Sequence, residues 1–163
     1  MAVSKGDITV KCGDGTVNIR VGAIIVKDGK ILMTGHDRVD YLYSVGGRVK
    51  FGETAEEAVR REVFEETGVN MDIERLGFVH ENFFYGDTEE NMNRLIYEIS
   101  FFFYMKVPDD FEPVCMSFNE DNDKEHLVWV APDTEKTIYP EFFRTAALSP
   151  AEGVSHVVTD ERK

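Results

Sequence analysis

Three glutamates, Glu62, Glu65 and Glu66, are the residues whose type and spacing point most directly to chemistry. They stand at positions i, i+3 and i+4 of a helical pattern, so a helix of about 3.6 residues per turn places them on one face. Like charges at this spacing destabilise a helix by roughly 0.2–0.5 kcal/mol per pair, and the negative end of the helix dipole adds to that cost. A divalent cation with oxygen ligands removes both penalties, which favours a Mg²⁺ site. The alternative is a solvated helix face rich in glutamate.

A loop that contains glycines stands just before these glutamates. Gly46 and Gly47 begin the loop, and Gly52 lies near its end. Such glycines let the backbone approach a metal or a phosphate closely, and their carbonyl groups can coordinate a cation. An ion pair between Arg61 and Glu53 would hold the loop against the helix. Glycine pairs and ion pairs also occur in purely structural turns, so neither feature identifies a metal site by itself.

The helix that must carry the glutamates has clear boundaries. Thr54 with Glu57 three residues later is a capping-box pattern, and Gly68 stands where a C-terminal glycine belongs, which predicts a helix over residues 54–67. Around it, apolar patterning predicts further elements. They are strands at residues 17–26, 31–33, 41–45, 73–82, 98–107 and 127–130, an Asp-Gly turn at 27–30, a polar loop at 108–124 and a second helix at 140–148. This order favours a mixed β-sheet flanked by helices.

The composition describes an acidic chain of single-domain length. The 163 residues include 18 Lys and Arg against 31 Asp and Glu, for a net charge of −13. This charge disfavours binding to nucleic acid or an anionic membrane, and a polyphosphate ligand would need a bridging cation. The sequence has no apolar run of transmembrane length and no secretory signal, and its two cysteines are too few for a disulfide framework. We therefore expect a cytoplasmic protein.

The loop and the helix together form a longer pattern. Gly47 is followed by five residues and Glu53, then by seven residues and the sequence Arg-Glu-Val-Phe-Glu-Glu-Thr-Gly-Val at residues 61–69. This pattern resembles the signature box of the Nudix hydrolases, and every defined position matches, including the aliphatic positions Val63 and Val69. The predicted order of strands and helices over about residues 17–148 also resembles that of a Nudix domain.

The resemblance implies an α/β (α+β) Nudix fold, in which a mixed β-sheet is sandwiched between helices. It implies one Nudix domain over residues 1–163, with a core at about residues 17–148 and a polar tail at 149–163. It also implies a hydrolase that uses Mg²⁺ or Mn²⁺ to cleave a diphosphate linkage in a nucleoside diphosphate-linked compound. The metal ligands implied by position are the carbonyl of Gly46 and the carboxylates of Glu62, Glu65 and Glu66. Arg61 and Glu53 would be the supporting pair.

Two parts of the site lie at less specific positions. The base that activates water varies within the family. Glu62 is one candidate, and our second choice is Glu125, which with Glu120 stands where some members recruit a glutamate from a later loop. The substrate pocket must come from residues outside the box. The candidate substrate-binding residues are Arg38, Tyr43 and Tyr85.

Substrate choice is the least determined feature of the sequence. A proline that is frequent after the box in ADP-ribose pyrophosphatases is replaced by Tyr85, and motifs of NADH and coenzyme A pyrophosphatases are not visible. We expect a nucleoside triphosphate or a related small nucleotide. The alternatives are ADP-ribose, a nucleotide sugar or a diadenosine polyphosphate and, in another class, a Nudix domain that senses a nucleotide without hydrolysing it. An aromatic edge strand near residues 78–104 is a candidate homodimer interface.

Overall fold

The computed structural model describes residues 6–113 and 124–163 of the chain. These residues form ten β-strands and two α-helices. In chain order, the elements are β1 Thr9–Cys12, β2 Gly15–Ile24, β3 Val26–Lys27, β4 Lys30–His36, β5 Tyr41–Arg48, α1 Ala55–Thr67, β6 Asp72–Tyr85, β7 Leu95–Lys106, β8 Glu125–Val130, β9 Thr137–Tyr139, α2 Phe143–Leu148 and β10 Ser155–Asp160.

The strands of the described part of the chain join into one mixed sheet. Its main path has the order β10-β6-β7-β2-β5-β4-β3, and β1, β8 and β9 attach to β2, β4 and β5. β10 runs parallel to β6, β2 to β7, and β9 to β5, whereas the other neighbours are antiparallel. The mixed sheet predicted from the sequence is therefore confirmed.

The hairpin predicted at the Asp-Gly turn is also present. Asp28 and Gly29 both have positive φ angles, 50° and 73°, as tight two-residue hairpin turns require. The turn joins β3 to β4. The single strand predicted over residues 17–26 is divided in two, because β2 ends at Ile24 and β3 begins at Val26.

Strand β5 runs further than the sequence predicts. We expected a strand over residues 41–45 that ends at Gly46 and Gly47, and this boundary is wrong. Both glycines continue the ladder, since Gly46 lies opposite Gly22 and Gly47 lies opposite Val21 of β2. The pairing with β2 outweighs the weak strand preference of glycine, and it fixes the backbone that faces α1.

Helix α1 begins and ends where its sequence predicts. The Thr54 hydroxyl accepts a hydrogen bond from the backbone N–H of Glu57, and the Glu57 carboxylate accepts one from the backbone N–H of Thr54. Gly68 ends the helix with a left-handed φ of 74°, and its N–H donates to the carbonyl of Phe64. These caps satisfy backbone groups that the helix itself leaves without partners.

Each face of the sheet carries an apolar core and a helix. Adjacent residues of β2 point to opposite faces, so Ala23 and Ile24 belong to different cores. The core under α1 includes Val21, Ala23, Val59 and Val63. The core under α2 includes Ile24, Phe102, Phe143 and Ala146. Each large aliphatic side chain buried in this way contributes about 1.5–3 kcal/mol, and the two cores confirm a sheet sandwiched between helices.

The C-terminal tail is part of the sheet. β10 pairs with β6 so that Ser155 lies opposite Phe78 and Asp160 opposite Phe83. The prediction of an exposed edge strand near residues 78–104 is therefore wrong, because β10 covers β6 over six residue pairs and β7 lies between β6 and β2. The pairing partner is more than seventy residues away in sequence, so local patterning gave no sign of it.

Helix α2 and the loop predicted after β7 are the remaining elements. The second helix, predicted over residues 140–148, is shorter and spans Phe143–Leu148. Most of the loop predicted at 108–124 lies outside the described residues, together with Glu120. Neither described helix is long and apolar enough to cross a membrane.

Candidate active site

Glu66 lies in the last turn of α1 and is the most buried of the three glutamates, with 4% of its surface exposed. The backbone N–H of Gly46 donates to its Oε1 and the hydroxyl of Thr34 donates to its Oε2, both at 2.8 Å. Burial raises the pKa of Glu66 to about 8. Loss of solvent therefore outweighs the two hydrogen bonds, and a nearby cation would stabilise the ionised carboxylate.

The two glycines of β5 make room for this arrangement. Gly46 has a φ of 152°, and a Cβ atom there would lie 2.2 Å from the carbonyl oxygen of Val21. A Cβ atom on Gly47 would lie 2.5 Å from the carboxyl carbon of Glu62. Only a residue without a side chain lets the Glu62 carboxylate lie against the strand at this point.

Glu62 and Glu65 share one partner, Arg61. The Nη1 atom of Arg61 lies 2.6 Å from Oε1 of Glu62 and 3.3 Å from Oε2 of Glu65. The Glu62 side chain is 14% exposed and that of Glu65 is 49% exposed. Burial raises the pKa of Glu62, and the hydrogen bond from Arg61 opposes that shift. The three carboxylates therefore range from buried to exposed along one helix face.

The ion pair expected between Arg61 and Glu53 is present and has two hydrogen bonds. Arg61 Nε lies 2.8 Å from Oε1 of Glu53 and Nη2 lies 3.0 Å from Oε2. Nη2 also donates to the carbonyl of Arg48, and the Lys50 N–H donates to Glu53. The Arg61 hydrogen bond lowers the pKa of Glu53 to about 2 and raises the pKa of Arg61. This pair ties the loop to α1.

Glu125 joins the cluster from β8. It is 9% exposed, and its Oε1 accepts a hydrogen bond of 2.8 Å from the hydroxyl of Tyr43. Burial and this hydrogen bond raise the pKa of Tyr43. The charge of Glu125 in turn contributes to the raised pKa of Glu66, so the two carboxylates are close enough to interact. Tyr43, which we expected to contact substrate, thus contacts an acidic side chain.

The two remaining substrate-binding candidates lie in different parts of the structure. Arg38 is exposed in the turn between β4 and β5. Tyr85 lies at the end of β6, opposite Leu95, and lines a cavity of about 540 Å³ with Cys12 and Tyr97. The residues that line this cavity include none of the carboxylates described above.

Thr34 belongs to the site although no sequence motif includes it. It follows the apolar run 31–33 in β4 and is fully buried, yet its hydroxyl bonds to Glu66. A hydroxyl in an otherwise apolar buried strand is the signal that could have identified it, because such a group requires a partner.

The donor set fits a hard divalent cation. Glu62, Glu65 and Glu66 offer carboxylate oxygens on one helix face, and the backbone at Gly46 and Gly47 leaves space beside two of them. Within residues 6–113 and 124–163, however, no three acidic, histidine or cysteine side chains are already gathered as a metal site. In this arrangement the guanidinium group of Arg61 supplies the positive charge beside Glu62 and Glu65. A bound cation would supply that positive charge instead.

Comparisons with known proteins place this geometry in a family. The model of the NUDIX domain matches residues 17–146, and the chain belongs to the Nudix family. A comparison with curated protein sequences found no match.

Solved structures give the same fold. A MutT Nudix hydrolase from Burkholderia pseudomallei is 25% identical with a TM-score of 0.60, and the match covers 83% of this chain and 98% of that one. A mutator MutT protein from Bacillus halodurans is 20% identical with a TM-score of 0.58, covering 89% and 93%. An ADP-ribose pyrophosphatase from Streptococcus suis is 16% identical with a TM-score of 0.56, covering 87% and 98%.

Membership in the family defines the class of enzyme. The protein is a Nudix pyrophosphohydrolase, and the family acts on small nucleotide substrates and generally uses divalent metals. The similar structures include enzymes with different names, and this similarity therefore does not select one substrate.

Proposed function

We propose that this enzyme hydrolyses a diphosphate linkage in a nucleoside triphosphate or a related small nucleotide, with Mg²⁺ or Mn²⁺ as cofactor. The observation that carries the proposal is the position of Glu66, buried at the end of α1 and hydrogen-bonded to the backbone of Gly46. A carboxylate buried beside two further glutamates is costly unless a cation or a proton compensates its charge. A cytoplasmic location, where nucleotides and Mg²⁺ are abundant, fits this activity.

The metal would be held by Glu62, Glu65 and Glu66 with the carbonyl of Gly46. The chemistry that it supplies is neutralisation of the diphosphate and of the charge that develops on the leaving phosphate. The Arg61–Glu53 pair fixes the helix against the loop, so that the carboxylates keep their positions when substrate binds.

The proton from the attacking water needs an acceptor. Glu125 is supported as the acceptor by its buried position and by the hydrogen bond from the Tyr43 hydroxyl that holds it. Glu62, which is bound to Arg61, is the other candidate. In this step a bond forms between the water oxygen and phosphorus, the phosphoanhydride bond breaks, and the proton passes to the carboxylate.

The sequence departs from the pattern of ADP-ribose pyrophosphatases at Tyr85, which weakens that assignment, although a tyrosine near this position is associated with diadenosine polyphosphate hydrolases. A nucleoside triphosphate is therefore the first substrate class to test by default. Arg38, Tyr43 and Tyr85 remain candidate substrate contacts. Since Tyr85 lines a separate cavity, contact with it requires a substrate that extends beyond the carboxylate cluster.

The test is release of phosphate and pyrophosphate with Mg²⁺ over a panel of nucleotides. The panel contains the dNTPs, oxidised dGTP, ADP-ribose, nucleotide sugars and diadenosine polyphosphates. We expect Mg²⁺-dependent release of pyrophosphate from one nucleoside triphosphate in preference to the other compounds. Faster cleavage of ADP-ribose, a nucleotide sugar or a dinucleotide would overturn the substrate assignment. Saturable binding without turnover of any compound would overturn the catalytic proposal in favour of a sensor.

A further inference from the structure

We propose that two hydroxyl groups, those of Thr34 and Tyr43, position the carboxylates of Glu66 and Glu125 for metal binding and catalysis. The inference rests on the proposed function of the carboxylate cluster. It assigns a role to Thr34, and it gives Tyr43 a role different from contact with a nucleobase. Both residues act through another side chain and are therefore positioning residues.

The sheet places the two hydroxyl residues side by side. Thr34 of β4 lies directly opposite Tyr43 of β5, and His36 of β4 lies opposite Glu125 of β8. Directly opposite residues point to the same face of a sheet, as do residues two apart on one strand. The register of β5, β4 and β8 therefore brings both hydroxyls and Glu125 to one face, and the Thr34 hydroxyl reaches Glu66 of α1 on that face.

The contact made by Thr34 is specific. Its side chain is fully buried, and Ile31, Leu32 and Met33 before it are fully buried as well. A buried hydroxyl without a hydrogen bond destabilises the folded protein, so packing alone would favour an apolar residue here. Its bond of 2.8 Å to Oε2 leaves Glu66 with a defined orientation, since the Gly46 N–H holds the other oxygen.

Tyr43 does the same for Glu125. Its hydroxyl lies 2.8 Å from Oε1 of a carboxylate that is 9% exposed. Glu66 and Glu125 are each bonded to one of two residues that lie directly opposite each other in the sheet, so their carboxylates lie on the same face. Without donors, two such carboxylates would turn apart or bind a proton. One hydroxyl on each carboxylate keeps both oriented in the cluster.

The test for Thr34 measures binding of Mn²⁺ alone, by electron paramagnetic resonance, without nucleotide. Thr34→Val removes the hydroxyl and keeps the shape, whereas Thr34→Ser keeps the hydroxyl. We expect Thr34→Val to weaken Mn²⁺ binding about 10–100-fold and Thr34→Ser to bind within about threefold of wild type. The control is Thr16→Val, which alters another buried threonine, located on β2.

The outcomes for Thr34 are distinguishable. Unchanged Mn²⁺ binding in folded Thr34→Val would overturn the role of this hydroxyl, and equal losses in Thr34→Val and Thr34→Ser would show a packing effect instead. If Thr34→Val does not fold, Thr34→Ala and Thr34→Ser give the same comparison. Failure of wild type to bind Mn²⁺ or to hydrolyse any nucleotide would overturn the proposed function itself.

The test for Tyr43 separates kcat from KM. Tyr43→Phe retains the ring and removes only the hydroxyl, so a stacking role predicts unchanged kinetics. We expect kcat to fall about 10–100-fold with KM within about twofold of wild type. Tyr41→Phe is the matched control, since Tyr41 lies on the same strand and packs edge-to-face on Tyr139. Wild-type kcat in Tyr43→Phe, or a change in KM alone, would overturn the positioning role.

Discussion

His80 makes the stability of this fold depend on pH. It lies on β6 with 5% of its surface exposed, and it contacts the rings of Phe102 and Phe142. Its Nε2 lies 2.9 Å from the hydroxyl of Thr159 on β10, so the imidazole also contacts the C-terminal strand. Burial lowers the pKa of His80 to about 4. The folded protein therefore holds His80 neutral under conditions in which the unfolded chain protonates it.

The sign and size of the effect follow from this difference. The pKa of an unburied histidine is 6.5. The contribution of neutral, buried His80 to the free energy of unfolding is therefore fully present above pH 6.5 and is lost as the pH falls through 4. One pKa unit corresponds to about 1.4 kcal/mol. The expected loss of unfolding free energy from this residue is about 2 kcal/mol at pH 5 and about 3 kcal/mol at pH 4.

Urea unfolding at several pH values, followed by tryptophan fluorescence, measures the effect. Carboxyl groups titrate over the same range, so the relevant quantity is the difference between wild type and His80→Gln. This difference should change by about 2 kcal/mol between pH 7.5 and pH 5, while His126→Gln, an exposed control, should follow wild type. Parallel curves for wild type and His80→Gln would refute the argument from burial.

Two further substitutions test the geometry of the site. Gly47→Ala places a Cβ atom 2.5 Å from the carboxyl carbon of Glu62, which must then move. We expect at least a roughly tenfold loss of Mg²⁺-dependent kcat, with little change in the urea unfolding midpoint. Full activity would show that this position of the Glu62 carboxylate is not needed. Glu53→Gln removes the negative charge from the ion pair with Arg61. We expect the free energy of unfolding, measured in urea at pH 7.5, to fall by about 2 kcal/mol. An unchanged free energy of unfolding would mean that the other partners of Arg61 hold it in place.

The sequence predicted the parts of the site that depend on local signals. Helix α1 has its N-cap at Thr54 and its C-terminal glycine at Gly68, and both act within one turn of the helix. The ion pair between Arg61 and Glu53 joins residues eight apart that the helix and its loop bring together. Spacing within the helix and the loop directly before it therefore sufficed to place these groups.

Features that depend on strand register were not accessible from local patterns. The contact of Tyr43 with Glu125 joins residues 82 apart, and the role of Thr34 depends on a hydrogen bond from β4 to Glu66 of α1, 32 residues further along the chain. β10 forms a strand because β6 offers hydrogen-bonding groups to it, although its own sequence is largely exposed. The continuation of β5 through Gly46 likewise depends on its pairing with β2.

The most direct test of the account is the Mg²⁺-dependent kcat of Glu66→Gln on the best substrate of the panel. Glu56→Gln is the matched control, because it makes the same change at an exposed position of the same helix. We predict that Glu66→Gln folds and loses most of its turnover, while Glu56→Gln retains the wild-type rate. Wild-type turnover in Glu66→Gln would contradict it and would place the metal centre elsewhere in the molecule.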